Sequence, residues 1–300
     1  MINIVENRKI FYAISVIFIA ISVIVLALWG LQFGIDFKGG SILEINYSVL
    51  PDLNLVSDAL KPLKLNDLKI SLLGSNGAVL RFRETDEATH QNIVKILAAE
   101  AEKNKIQFEE RRFSSIGPTI GAELKQKSIK AIIIVLLGIS LYIAWAFRKV
   151  SQPISSWRYG VVTLIALFHD LIIPIGLFAY LGRFYGVEVG ANFIVALLVI
   201  LGFSVHDTIV VFDRIRENLK RYSQLSFMPL VSQSIRETII RSLNTSLTVL
   251  LTLAALYVFG GESLKYFVLA LMVGIFSGTY SSIFIAAPLL VTWFNILKKN

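Results

Sequence analysis

The chain has no cysteine, only three histidines and few charges for its length: of 300 residues, 17% are Asp, Glu, Lys or Arg, against roughly 25% in soluble domains. The first absence excludes disulfides, cysteine-held metals and thiol chemistry. With only His90, His169 and His206, no zinc cluster and no metal cofactor is expected. No nucleophile–base set marks an enzyme, and no nucleic-acid-reading motif is visible. The net charge of +8 is therefore read from where the cations fall. What is abundant is apolar: 55% of residues are hydrophobic and the mean hydropathy is +0.68, the composition of an integral membrane protein.

Taken in order, residues 1–30 hold a short N-terminal segment and then the apolar run Ile10 to Trp29, long enough to cross about 30 Å of hydrocarbon. It lacks a small-residue cleavage site, so an uncleaved anchor is expected. Residues 31–126 change character, with frequent charges and alternating apolar positions. Ser41 to Tyr47 reads as a strand, Asp52 to Leu60 as a helix and Leu68 to Leu73 as a strand. Asn76-Gly77 then turns into a strand over Ala78 to Phe82, Thr85 caps a helix to about Lys103, and Ile106 to Phe113 is the last strand. The order β-α-β-β-α-β predicts an α+β ferredoxin-like domain. Residues 127–300 form a membrane domain with apolar runs at Ile129–Phe147, Val161–Leu181, Gly190–Phe212, Leu243–Phe259 and Leu264–Leu297, the last with an end along the interface. Six transmembrane helices are predicted, with a cytoplasmic amphipathic segment over 213–241.

Cations set the orientation. Arg8, Lys9, Arg148, Lys149, Arg158, Arg214, Arg216, Lys220, Arg221, Arg236, Arg241, Lys298 and Lys299 fall on one side, against Arg183 and Lys265 in the short loops of the other. Both termini are expected in the cytoplasm, which makes the domain between helices 1 and 2 extracytoplasmic.

Asp207 lies inside the fourth span, where a charge costs roughly 2.5–3.5 kcal/mol and a functional site is the default reading. Hydration near the cytoplasmic end is the alternative. Helix direction brings Arg241, at the start of the fifth span, to a similar depth, so the two could pair; otherwise Arg241 snorkels and Asp207 bonds Ser204 or Thr208. Two His-Asp pairs, His169-Asp170 and His206-Asp207, suit a proton relay. However, helix neighbours point about 100° apart, so helix–helix hydrogen bonding is expected rather than one ligand unit. Asn244, with Thr245 and Ser246, serves as polar glue or lines water. Gly274 and Gly278 offer a face for close helix packing within the chain.

Five stretches together resemble a known family. Gly34-Ile35-Asp36-Phe37-Lys38-Gly39-Gly40 is like a DFxGG motif, and Ile116-Gly117-Pro118-Thr119-Ile120-Gly121-Ala122-Glu123-Leu124 is like an IGPxxGxEL motif. Asp207 to Asn218, Arg241 to Ser246 and Gly278 to Ala286 are similar to the remaining signatures of the SecD/SecF family, on its smaller SecF side. The resemblance implies a membrane domain of the resistance-nodulation-division superfamily, located in a bacterial inner membrane. It also implies a SecD partner, association with the SecYEG channel, YidC and YajC as further partners, and translocating preproteins and membrane lipids as contacts. Protons would be the coupling ion, with no other cofactor. Asp207 and Arg241 match the family's membrane acid and arginine, with His206, Asp170 and Asn244 as further proton-coupling candidates. Asp36, Phe37, Gly39, Gly40, Gly117, Pro118 and Gly121 are structural. A proton-driven exporter of small molecules or lipids is the alternative.

Overall fold

In the computed structural model, residues 3–49, 52–74, 76–148, 153–222 and 224–299 are described; Lys149, counted above among the cytoplasmic cations, lies outside them, as does the side chain of Lys299. The chain forms two compact units, Met1–Gln32 with Ile129–Asn300, and Phe33–Ser128.

The first unit is a helix bundle. Its helices are α1 (Arg8–Trp29), the apolar part of α5 (Pro118–Ala146), α6 (Ser156–Tyr185), α7 (Ala191–Arg221), α8 (Phe227–Phe259) and α9 (Glu262–Ser281). A π-helical turn over Ser282–Ala286 joins α9 to α10 (Ala287–Lys299), and the three together make one span. Among the described residues six helices are thus long and apolar enough to cross a membrane. The protein is a multi-pass membrane protein.

Burial divides these spans into two kinds. In their most apolar windows, 61% of α6 and 67% of the α9–α10 span are buried, against 6% of α5 and 17% of α8. α6, α7 and the last span therefore form the centre, and α5 and α8 leave most of their surface uncovered. At one end of the centre, Tyr159 stacks on Phe147 at 5.2 Å and meets the edge of Phe212 at 5.1 Å, with Ile215, Leu230 and Leu290 fully or almost fully buried around them. Offset and edge-on ring pairs of this kind add to the area they bury.

The segment 213–241 is built from the ends of two long helices, because α7 runs on to Arg221 and α8 starts at Phe227. Polar contacts clamp this hairpin: Arg214 Nε donates to Glu237 Oε2 at 2.5 Å, and Asn218 Nδ2 donates to Ser234 Oγ at 3.0 Å and Glu237 Oε2 at 2.8 Å. In the last span Ala287, Leu290 and Val291 are fully buried in the core, whereas Ile296 and Leu297 at its end are exposed.

The second unit carries strands β1 (Gly40–Tyr47), β2 (Lys69–Leu73), β3 (Gly77–Phe82) and β4 (Phe108–Ile116), with helices α3 (Leu53–Leu60) and α4 (Glu87–Lys103) and the single turn α2 (Ile35–Lys38). The sheet order is β2-β3-β1-β4 with every neighbour antiparallel, the ferredoxin-like arrangement. Alternation along β1 sends Leu43, Ile45 and Tyr47 to the helix-covered face, where Val56, Leu60, Ile93 and Leu97 close the core. Burial pushes the Tyr47 phenol up to about 12.

Two local assignments move by a few residues. The cap of α4 is Asp86, whose Oδ1 accepts from Thr89 N at 3.0 Å, because the Thr85 backbone is already held by the Ser41 and Ser115 hydroxyls. Gly77 is already strand, paired with Leu73; the left-handed turn residue is Gly74 at φ +63°.

Candidate functional site

The bundle centre holds two carboxylates, and it treats them differently. Asp170, on α6, is fully buried and accepts from four donors. Ser204 Oγ on α7 donates to Oδ2 at 2.5 Å and Ser281 Oγ on α9 at 2.7 Å, while Ser277 Oγ on α9 reaches Oδ1 at 3.2 Å and His169 Nδ1 lies 2.8 Å from Oδ1. An ionised carboxylate offers about four lone-pair sites, so this one is saturated.

The His169–Asp170 contact overturns the expectation that adjacent residues cannot act as one unit. Their Cβ directions do diverge by about 100°, but the Cα atoms are only about 3.8 Å apart. Rotation about χ1 and χ2 brings ring nitrogen and carboxylate together. The pair also takes part in helix–helix hydrogen bonding, through the serines of α7 and α9.

Asp207, on α7, is 1% exposed yet poorly solvated by protein. Ser246 Oγ on α8 is 3.3 Å and Thr279 Oγ1 on α9 is 3.5 Å from its Oδ2. Thr279 has one hydroxyl proton and two nearer acceptors, Ser246 Oγ at 2.6 Å and Ile275 O at 2.9 Å. One long contact from Ser246 is what remains for Asp207.

Among the described residues no ion pair joins Asp207 to Arg241, whose side chain is exposed. The reasons are depth and azimuth: Asp207 is level with Ser246, five residues and roughly 7.5 Å of rise beyond Arg241. Ser242 and Ser246, one turn apart, turn the buried face of α8 toward α7 and α9, and Arg241 is rotated about 100° from Ser242. Asn244 is exposed on α8 as well, and the His206 side chain is 66% exposed with Nδ1 3.9 Å from Asp207 Oδ1. The structure thus gathers Asp170 and Asp207 in the bundle interior and leaves His206, Arg241 and Asn244 on its surface.

Further hydroxyls tie the two acids' surroundings together. Thr208 Oγ1 and Ser282 Oγ are 2.8 Å apart and lie 3.1 and 3.3 Å from Ser204 O, so one of the two hydroxyls donates to the other and the second is left to donate to the carbonyl. Thr279 and Ser282 were not legible as site members from spacing. The usable signal was the density of small hydroxyls in Ser277-Gly-Thr-Tyr-Ser-Ser282, on an otherwise apolar helix. Gly274 and Gly278 pack against Ile200 and Ser204 of α7; a Cβ on Gly278 would stand 2.8 Å from Ser204 Cβ.

In the second unit the two glycine motifs meet each other. Gly39 has φ +78°, and a Cβ there would fall 2.7 Å from Pro118 Cα. A Cβ on Gly121 would fall 2.9 Å from Gly39 N and 3.1 Å from the Phe37 carbonyl carbon. Only residues without side chains allow this backbone contact. Asp36 sits in the first turn of α2, Phe37 is buried, and Gly117 faces the Glu84 carboxylate.

Comparison with known proteins follows the same two regions. The family described as "Protein export membrane protein SecD/SecF, C-terminal" matches residues 96–296, and the "SecD/SecF GG Motif" matches residues 30–48. The chain belongs to the SecD/SecF family. Protein translocase subunit SecF of Thermobaculum terrenum is 45% identical over 98% of this chain and 95% of its own length. SecF of Anaerolinea thermophila is 42% identical over 98% and 94%. The crystal structure of SecDF from Thermus thermophilus, described as a translocon-associated membrane protein, superposes with a TM-score of 0.81 at 31% identity. That match covers 97% of this chain and 38% of the SecDF chain. The GG-motif match contains the Gly39–Gly40 turn, and the SecD/SecF C-terminal match contains both interior acids.

Proposed function

We propose that this chain is the SecF-type subunit of a SecDF translocase that uses the proton-motive force to promote preprotein passage through the SecYEG channel, with Asp207 as the proton-carrying acid. The observation that carries the reading is the poor solvation of Asp207: a carboxylate inside a membrane-spanning helix, held by one long hydroxyl contact, with no lysine or arginine paired to it among the described residues and the largely exposed His206 ring 3.9 Å away. An acid so placed is functional by default. The cation distribution supports cytoplasmic termini, and with them an extracytoplasmic Phe33–Ser128 domain that could meet an emerging preprotein.

A SecD partner is supported by the uncovered surface of α7 and α8. Arg241, Asn244 and His206 project from apolar helices there, and polar side chains facing lipid are expensive. Another chain laid over this surface would offset that cost and give Arg241 and Asp207 a shared environment. The SecDF chain of Thermus thermophilus is far longer than this one, consistent with a second half that supplies such a cover.

One charge crossing 100 mV supplies about 2.3 kcal/mol, whereas taking a two-state equilibrium from 1:99 to 99:1 needs about 5.5 kcal/mol. More than one proton, or a pH gradient in addition, is therefore part of the proposal. The test is proton-gradient-dependent translocation in vesicles carrying Asp207→Asn, with SecD co-purification as the assembly control. Loss of gradient stimulation with assembly intact is expected; retained stimulation overturns the assignment.

A further inference from the structure

We propose that His169 and Asp170 form a second proton-binding site in the bundle, loaded at His169 Nε2 and separate from Asp207. The use of this site in energy coupling rests on the function proposed above; its occupancy by a proton does not.

The assignment begins with counting hydrogen atoms. Both Asp170 oxygens are engaged by Ser204, Ser281, Ser277 and His169. For Nδ1 to bond the carboxylate it must carry the ring proton of neutral histidine, which leaves Nε2 as a bare lone pair. That atom is buried, on a side chain 2% exposed, and has no hydrogen-bond partner among the described residues. The cluster then carries one negative charge in the membrane interior, where an uncompensated charge is costly. The oxygens are saturated and the nitrogen is free, so a single added proton goes to Nε2. It turns the pair into imidazolium–carboxylate with no net charge. An aromatic nitrogen lone pair also selects the ion: it takes a proton readily and is a poor ligand for sodium, which prefers oxygen.

Among the described residues no lysine or arginine pairs with Asp170. The groups that face the pair from the helices packed on α6 are few. α9 contributes Tyr280, whose ring stacks on the imidazole at 6.1 Å between centroids while its hydroxyl donates to Phe11 O at 3.0 Å. α7 contributes Asp207, one turn beyond Ser204, and α1 contributes Tyr12, whose hydroxyl is paired with Thr292 at 3.1 Å. The π-helical turn carries no titratable side chain, and α10 carries its lysines only at its end.

The position of the site gives its occupancy something to act on. Ser281 ends α9 immediately before the π-helical turn, and Ser282 in that turn holds Thr208 and the Ser204 carbonyl. π-helical turns are rare and concentrate at functional sites. A change of charge on His169–Asp170 is therefore felt where the last span changes its winding, and a second proton doubles the charge that the membrane potential can move.

The experiment is nitrogen-15 spectroscopy of the three histidines in the full chain in lipid nanodiscs, from about pH 9 to about pH 5, the range in which imidazoles titrate. His90→Gln and His206→Gln assign the signals. The expected result is that His169 Nδ1 stays protonated throughout while Nε2 passes from bare to protonated, and that this transition is lost from the range in Asp170→Asn. Asp207→Asn should leave the His169 transition in place, which separates this site from the one tested by export. The proposal is overturned if His169 Nε2 stays bare across the range, if the transition is unchanged in Asp170→Asn, or if sodium at constant pH shifts the Asp170 carboxyl signal while Nε2 does not respond. Should Asp170→Asn fail to fold, the unmodified chain decides by its own Nε2 signal.

Discussion

Asp170 and Asp207 sit on neighbouring helices of one bundle, both out of reach of solvent, yet one is wrapped by four donors from three helices and the other by a single long hydroxyl contact. Asp170 draws α6, α7 and α9 together and is fixed by them. Asp207 touches α8 and α9 only loosely, on the side of the bundle where the uncovered face of α8 begins. Burial alone would rank the two acids equally. Counting the hydrogen-bond donors available to each separates a carboxylate held on both oxygens from one left with a single long contact.

The largest expected effect is on the structural acid. Asp170→Leu strands the donors of Ser204, Ser277, Ser281 and His169; at about 0.6 kcal/mol for each membrane hydrogen bond, the loss is about 2 kcal/mol or more. Thermal unfolding of the detergent-purified chain should show this. Asp207→Asn should cost less than about 1 kcal/mol in the same assay, since an amide oxygen can keep the Ser246 contact. Equal losses would erase the distinction. Gly278→Ala comes next. Its Cβ would meet Ser204 Cβ at 2.8 Å and push a principal donor away from Asp170, at about 1 kcal/mol or more. Ser246→Ala is milder still, about 0.6 kcal/mol or less in unfolding, because its contact with Asp207 is long.

How much of this was legible in the sequence follows from what hydrophobic patterning encodes. The apolar runs gave the six spans, and alternation with turn residues gave the ferredoxin-like domain, because both reflect burial one residue at a time. Depth along a helix was legible only coarsely: Asp207 is level with Ser246, five residues and roughly 7.5 Å of rise beyond Arg241. Azimuth was not legible. Whether Arg241 or its neighbour Ser242 faces the bundle is decided by the packing of α8 on α7 and α9, which no local pattern carries. The Asp170 cluster was hidden for a related reason: its donors come from α7 and α9, and serines at 204, 277 and 281 have no spacing in common. The same limit moved the α4 cap from Thr85 to Asp86, since the competing bonds come from Ser41 and Ser115 in other strands.

A third carboxylate sharpens the comparison by placing the same chemistry in water. Asp86 caps α4 by accepting from Thr89 N at 3.0 Å, but it is exposed, so solvent competes for every contact that the membrane interior reserves for Asp170. The Thr89 hydrogen bonds hold its carboxyl below the ordinary 3.8. A depressed folded value means that the capping contribution is complete above the unfolded value and fades as pH falls through the folded one. Asp86→Ala should therefore speed amide exchange at the first turn of α4, Glu87 to Thr89, at pH well above 3.8, with the difference from the unmodified chain shrinking under stronger acid. Unfolding of the bundle should not change. If the exchange difference persisted undiminished in acid, the cap would not depend on the charge of Asp86, and the contrast between solvated and membrane-buried carboxylates would have to rest on geometry alone.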